Sequence, residues 1–522
     1  MTAISDFFRT ALLIDDCIEN DRQDSGEDPQ IEDVDSGEDI DSGLGEPVPS
    51  LVLPDTDGQT PIFAVDLVRA FLAENIVCSI LKPPDDTNEF MKLARRGASI
   101  ADLLIIDWRI FDDDSATTIE AIHAISESRQ DRLTVIVIFS GVQRLISISD
   151  RLIEEANFEQ VYEDMSNEFV LKLNDTVVLL FGKPEVARAG HEKDRIATYS
   201  ELPGMIRADL EMVFKGLMPE FAFRGINTLR ESTPRILATF NSDLDGAALV
   251  HRALLPEPTD AGPQFVKLLA SDFEQALHDE RVGEVWDHES VREHLEVAPP
   301  GGSLRQLTAK LKSHPGVADE FTALDAPDLA REAIARGLSG IGMGDSAVSR
   351  AVGDLVAAVG GGPANESLAI LMSSSSIGAT RPRLELGVVL RGQHGDYWLC
   401  IQPLCDSVRL DESRAFPLLR ISLDAKKPAA MIRSPEGDAI RIGFDSSPHR
   451  LAMPQFAPTH QRAVLAHGDS SNWRFTSEDG AEYRAITRLR PEVAAQAVHG
   501  LASAASRTGA DVSEWLRRGA PS

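Results

Sequence analysis

Residues 101–107 read ADLLIID, an apolar run that ends on a carboxylate, Asp107. The stretch at 133–141, LTVIVIFSG, repeats the pattern at greater length and ends in Ser140-Gly141. Unbroken apolar runs of about four to eight residues suit strands covered on both faces, because polar alternation appears only where one face meets water. Working outward, ALLI at 11–14 runs into Asp15-Asp16, IVCSILK spans 76–82, and TVVLLFGKP spans 176–184. Helical patterns separate these runs. Thr60 can cap a helix with Pro61 in its first turn, and Phe63, Leu67, Ala70 and Phe71 then share one face. Further helices are expected around 88–97, over Ile119, Ile122 and Ile125, near 148–157, and from about 199. Strand alternating with helix predicts an α/β fold, a flavodoxin-like doubly wound sheet of five parallel strands.

Ligands of such sheets bind at the carboxyl ends of the strands. Those ends carry Asp15 and Asp16, Asp107, Ser140 and Lys183. Three carboxylates converging on one spot repel each other, and a hard divalent cation with oxygen ligands, Mg²⁺ by preference, resolves the repulsion. A carboxylate beside such a cation can attack a phosphoryl group. A lysine ammonium supplies a compact charge for one phosphoryl oxygen, and the Ser140 hydroxyl a hydrogen bond for another.

The set Asp15-Asp16, Asp107, Ser140-Gly141 and Lys183-Pro184, each after an apolar strand and in this order, resembles response-regulator receiver domains. The resemblance covers residues 1 to about 215. It implies Asp107 as phosphoacceptor, Asp16 as a direct Mg²⁺ ligand, and Asp15 as a ligand directly or through water. The backbone carbonyl of Arg109 would be a further ligand. Ser140 would contact the phosphoryl group, Lys183 would pair with it, and the Lys183–Pro184 bond would be cis. It also implies a partner, a histidine kinase or phosphotransfer protein. Two departures stand out. The aromatic expected three residues before the lysine is Leu180, with Phe181 one place later, and the region around 142–175 is longer than usual. The long insert and large tail look like variant receivers of bacterial anti-phage and other conflict systems.

Acidic residues number 83 against 51 basic, a net charge of −32. Such a chain repels nucleic acid and anionic membrane at long range, and no basic recognition helix is evident. No signal peptide or membrane-spanning run is found, so a cytoplasmic protein is expected. Cys17, Cys78, Cys400 and Cys405 are too scattered for a disulfide framework or zinc cluster and read as buried thiols. Residues 21–58 carry DSGED twice, at 24–28 and 35–39, and have too little apolar surface to order themselves; a disordered acidic insert is expected.

Three regions are expected: a receiver-like domain over 1–215, a mainly helical region over 216–360, and a β-rich α+β domain over 361–522. His251 sits on an expected helix where a phosphotransfer histidine could lie, although a lone helical histidine is more often structural. Gly340–Ser346 is glycine-rich but lacks the ending of a phosphate loop. Beyond Gly360 the period falls toward two, with strands expected at 384–391, 397–404, 417–423, 429–434, 439–444, 472–477 and 483–489, then helices at about 491–506 and 511–518. No hydrolase or nuclease motif accompanies them. The reading is a signalling protein phosphorylated on Asp107, an intermediate or phosphate store acting on a downstream effector protein. A scaffold that only docks a kinase, and an effector enzyme with activity in the C-terminal half, are the alternatives.

Overall fold

The structure, a computed structural model, describes residues 3–15, 64–111, 115–127, 132–161, 168–186, 188, 190–297, 334, 336, 363–378, 380–426, 428–445, 447, 450–469 and 472–506. Asp16, Cys17, the acidic segment 21–58, the helix start at Thr60-Pro61, Gly340–Ser346 and the last expected helix lie outside these residues. The chain divides into two units, Met1–Val297 and Ala298–Ser522.

In the first unit the strands are β1 (Thr10–Ile14), β2 (Val77–Leu81), β3 (Leu103–Ile106), β4 (Thr134–Ser140), β5 (Glu159–Gln160), β6 (Val170–Leu173) and β7 (Thr176–Gly182). They form one sheet in the order β2-β1-β3-β4-β7-β6-β5. The first five in that order pair in parallel, and β6 and β5 add an antiparallel edge. The sheet therefore has seven strands rather than the expected five. The extra pair arises within the long 142–175 region. Asn174 adopts a left-handed φ of 52° in the two-residue turn to β7, a conformation asparagine tolerates well. This hairpin covers what would otherwise be an open edge of β7.

Helices α1 (Ala3–Phe7), α2 (Ala64–Ala73), α3 (Thr87–Ile100), α4 (Ala116–Glu127), α5 (Ile146–Ala156) and α6 (Leu202–Val213) accompany the sheet. Successive side chains of a strand leave on opposite faces, and both faces are filled. Val135, Val137 and Phe139 of β4 join Leu67, Phe71, Leu202 and Ile206 in one core. Ile136 and Ile138 join Phe90, Ile119, Ile122 and Leu152 in the other. This double burial is why the strands read as continuous apolar runs. β2 is the exception. Its Val77 and Ser79 are exposed, as an edge strand allows.

The first unit continues into α7 (Leu217–Thr239), α8 (Asp245–Leu254), α9 (Ala261–Asp279) and α10 (His288–Val297). α7 packs on α1 through Phe223 and Phe7, whose ring centroids lie 4.9 Å apart. Arg230 lays its guanidinium over the Phe7 ring at 4.4 Å and donates to Asp102 Oδ1 at 3.2 Å. The other Asp102 oxygen accepts from the Arg9 and Thr10 amides and the Thr10 hydroxyl. His251 is exposed on α8, with Nε2 2.7 Å from Gln264 Oε1.

The second unit begins, among the described helices and strands, with α11 (Pro363–Ser373) and β8 (Ser374–Ser375). Then follow β9 (Val388–Gly392), β10 (Tyr397–Cys400), β11 (Arg414–Ala415), β12 (Leu418–Leu423), β13 (Ala430–Arg433) and β14 (Ala439–Phe444). β15 (Leu451–Ala452), β16 (Gln455–Phe456), β17 (Arg474–Thr476), β18 (Glu482–Leu489) and α12 (Pro491–Ala505) complete it. A nine-stranded antiparallel sheet runs β13-β14-β12-β10-β9-β18-β17, with β15 on β12 and β8 on β18. Each of the seven strands expected beyond Gly360 is present. The SPEGD turn between β13 and β14 closes through Ser434, whose N–H donates to the Asp438 carbonyl at 2.7 Å, with Gly437 at φ 99°. One face of the sheet packs Leu399, Leu419 and Ile442 beneath Ala494 and Ala497 of α12. The other gathers Phe416, Phe456 and Phe475. α11 was not anticipated, because Gly360–Pro363 reads as a break.

Candidate phosphoryl-acceptor site

Parallel registers bring the functional side chains together. β1 and β3 pair Ile14 with Ile106, so Asp15 and Asp107 follow at the same level, and the Asp107 N–H donates to the Ile14 carbonyl at 3.1 Å. β4 and β7 pair Ser140 with Gly182, and the Lys183 N–H donates to the Ser140 carbonyl at 2.9 Å. β3 lies beside β4, so four strand ends meet.

Lys183 is the hub. Its ammonium is 1% exposed, donates to Asp15 Oδ2 at 2.8 Å, and is in hydrogen-bond contact with Asp107 Oδ2. Burial alone would strip its charge. The Asp107 and Asp15 carboxylates outweigh that and hold its pKa well above the ordinary lysine value. The second Asp107 oxygen, Oδ1, accepts from the Arg109 N–H at 3.1 Å and faces the Ser140 hydroxyl at 3.4 Å. The Val142 N–H donates to Ser140 Oγ at 3.2 Å. Asp15, Asp107, Ser140 and Lys183 are all buried.

Asp15, Asp107, Ser140 and Lys183 thus stand together, with the Arg109 backbone two positions beyond Asp107. Asp16 lies outside the described residues, and among those residues no three His, Cys, Asp or Glu side chains gather as a metal cage. The donors present are oxygens only, the type a hard cation such as Mg²⁺ prefers. Two carboxylates and one ammonium also sum to one formal negative charge in a buried place. The donor chemistry therefore fits Mg²⁺.

Some expectations are corrected. The Lys183–Pro184 bond is trans, and in that form the Lys183 carbonyl accepts from Arg188 Nη1 at 2.9 Å. Leu180 is fully buried in the core on the α4–α5 side, while Phe181 faces the opposite core beneath the Arg195 guanidinium, 4.2 Å from its centroid. Cys78 and Cys400 are buried, and burial pushes both thiols up to about 12, but Cys405 is exposed on a short turn.

Residues that sequence reasoning missed surround the site. Tyr199 packs edge-on against Phe139, 5.7 Å between centroids, and donates to Glu185 at 3.1 Å. Burial first, then Glu185 and the Asp15 and Asp107 charges, hold its phenol protonated far above the usual range. Arg188 and Glu192 grip the loop after β4. A buried arginine in a turn has no periodic signature, so no local pattern marks Arg188.

Residues 7–188 match the family model of the response receiver domain. The N-terminal part of the chain is therefore a receiver domain, in agreement with the resemblance carried by its strand ends. No curated protein and no solved structure matches the chain. Among the described residues no helix is long and apolar enough to cross a membrane.

Proposed function

We propose that the chain is a two-component signalling protein whose Asp107 accepts a phosphoryl group from a phosphohistidine of a histidine kinase or phosphotransfer protein. The observation that carries this reading is the Asp15–Lys183–Asp107 cluster with Ser140 at its rim, built from four strand ends of a receiver domain.

Asp15, Asp16, Asp107 and the Arg109 carbonyl would hold Mg²⁺, which when bound would supply charge neutralisation for the phosphoryl oxygens. Asp107 forms the new O–P bond as the donor's P–N bond breaks. The leaving imidazole keeps the electron pair and takes up a proton. Lys183 lies between the two carboxylates, so its ammonium can exchange a carboxylate contact for a phosphoryl oxygen without crossing the site. Ser140 holds its hydroxyl on the Oδ1 side of Asp107 and gives a third oxygen a donor. The Arg109 N–H steadies the carboxylate itself. Fixed donors of this kind act without reorganising as charge develops.

The elaborated region from Val142 to β6, which contains α5 and the added hairpin, is the face through which phosphorylation reaches an effector protein. A receiver with a long acidic segment and a large tail without a DNA-binding motif resembles the variant receivers of bacterial conflict systems, and that resemblance supports reading the protein as an intermediate or phosphate store in a defence circuit. Net charge of −32 disfavours nucleic acid and anionic membrane as partners.

Intact mass of the full chain after incubation with Mg²⁺ and a small-molecule phosphodonor tests the core of this reading. One phosphate adduct that requires Mg²⁺ and is lost in Asp107→Asn is expected. A folded protein that gains no phosphate from this donor or from histidine kinases would instead be a docking scaffold.

A further inference from the structure

Beyond Lys183 the chain carries a second buried cation, Arg188, with 6% of the residue exposed. Nη1 donates to the carbonyls of Lys183 at 2.9 Å and Val186 at 3.2 Å. Nη2 donates to the carbonyls of Ser140 at 2.8 Å and Val142 at 2.7 Å. The fork therefore joins the end of β4 to the end of β7, touching both residues that face the incoming phosphoryl group. Val142 in turn donates to the Ser140 hydroxyl at 3.2 Å. Four residues further on, Glu192 Oε1 accepts from the N–H of Ile146, the first residue of α5, at 3.1 Å. The loop from Ser140 to α5 is thus held at both ends by the segment 188–192.

Gly182 makes room for this arrangement. A Cβ at that position would stand 2.3 Å from Nη1 and 2.4 Å from Cζ of Arg188. A side chain there would push the guanidinium aside without removing any charged group.

We propose that Arg188 is a positioning residue for phosphoryl acceptance: its planar fork sets the spacing between the Ser140 hydroxyl and the Lys183 ammonium on either side of Asp107. This rests on the reading of Asp107 as phosphoacceptor. A guanidinium suits the task because it directs several donors in a fixed plane, which an ammonium does not. Leu180, standing where the resemblance expects an aromatic, is sealed in the core and cannot take this part.

The test uses the full chain as wild type, Arg188→Gln, Arg188→Lys, Gly182→Ala and the Arg188→Gln/Gly182→Ala double variant. The rate of phosphate gain at Asp107 from a small-molecule phosphodonor is followed by intact mass across a Mg²⁺ titration. Arg188→Gln is expected to lower the rate at saturating Mg²⁺ and donor by about 10- to 100-fold, the scale set by misplacement of a reacting group by an ångström. The half-saturating Mg²⁺ concentration stays the same, because Asp15 and Asp107 are untouched. Gly182→Ala gives a loss of similar size, and the double variant is no slower than the worse single. Arg188→Lys falls between wild type and Arg188→Gln. General destabilisation would instead reduce the fraction of protein that reacts, and the two losses would multiply. Should Arg188→Gln fail to fold, Gly182→Ala and Arg188→Lys carry the comparison. Wild-type rates in these variants, or multiplied losses in the double, overturn the proposal alone. A wild-type chain that takes no phosphate overturns the reading of Asp107 together with it.

Discussion

Replacing Lys183 with methionine should destabilise the first unit far more than replacing either carboxylate beside it. Lys183 is 1% exposed and shared by two carboxylates, of which Asp15 is fully buried. Lys183→Met keeps the length and apolar stem but leaves two like charges facing each other in a buried site. Removing one partner of a buried pair costs about 3–5 kcal/mol, most of it the desolvated charge left behind. Asp107→Asn does the reverse. It leaves Lys183 paired one-to-one with Asp15, so a change within about 1 kcal/mol is expected. The two units of the chain make a single global unfolding midpoint ill-defined. Hydrogen exchange of peptides from β4 and β7 in the full chain, with chelator present, reads the first unit selectively. At about 1.4 kcal/mol per decade, Lys183→Met should exchange these amides about two to four powers of ten faster, and Asp107→Asn less than one. Equal acceleration in both variants, or none in Lys183→Met, would refute the charge argument.

The Lys183 pKa is raised in the folded state, so its contribution is fully present below the ordinary lysine value of 10.5 and lost as pH climbs through the folded value. The difference in first-unit stability between wild type and Lys183→Met, read by limited proteolysis within that unit, should accordingly be flat from neutral pH to about 10 and shrink only above that. Among Cys78, Cys400 and Cys405, native alkylation near neutral pH should label Cys405 alone, because burial pushes the other two thiols up to about 12; peptide mapping reads this directly. Asp102→Asn removes the charge that joins Arg230 of α7 to the start of β1, and about 1.5–3 kcal/mol of local stability should go with it, seen as faster exchange in 217–239 with β4 unaffected. In α3, Gly97 packs so tightly on β1 that a Cβ would stand 2.3 Å from Leu12 Cδ2; Gly97→Val should cost about 1–3 kcal/mol, and amide exchange in β1 and α3 equal to wild type would show that Leu12 simply moves aside.

The positions of β1, β3, β4 and β7 follow from local pattern, because a strand buried on both faces must be apolar at every position. Once those runs are recognised, Asp15, Asp107, Ser140 and Lys183 are marked out by being the next residues along, and parallel pairing does the rest. A different local pattern, a period near two between turn residues, finds the seven strands beyond Gly360. Local pattern fails where an element is short or its reason for existing is remote. β5 spans two exposed residues and β6 four, and both exist because β7 offers an unpaired edge. α7 is legible as a helix, but its docking rests on Arg230 and Asp102, 128 positions apart.

Arg188 shows the same limit inside the site. Nothing around it in sequence marks it as buried, and its role exists only because β4 and β7 end side by side with a glycine beneath the guanidinium. The sequence by itself determined which residues end the strands, since burial of a strand is written into its own run of side chains. Only the tertiary structure decided which carbonyls and charges those residues would meet, because hydrogen bonds and ion pairs between distant segments depend on register and approach, which no local pattern records.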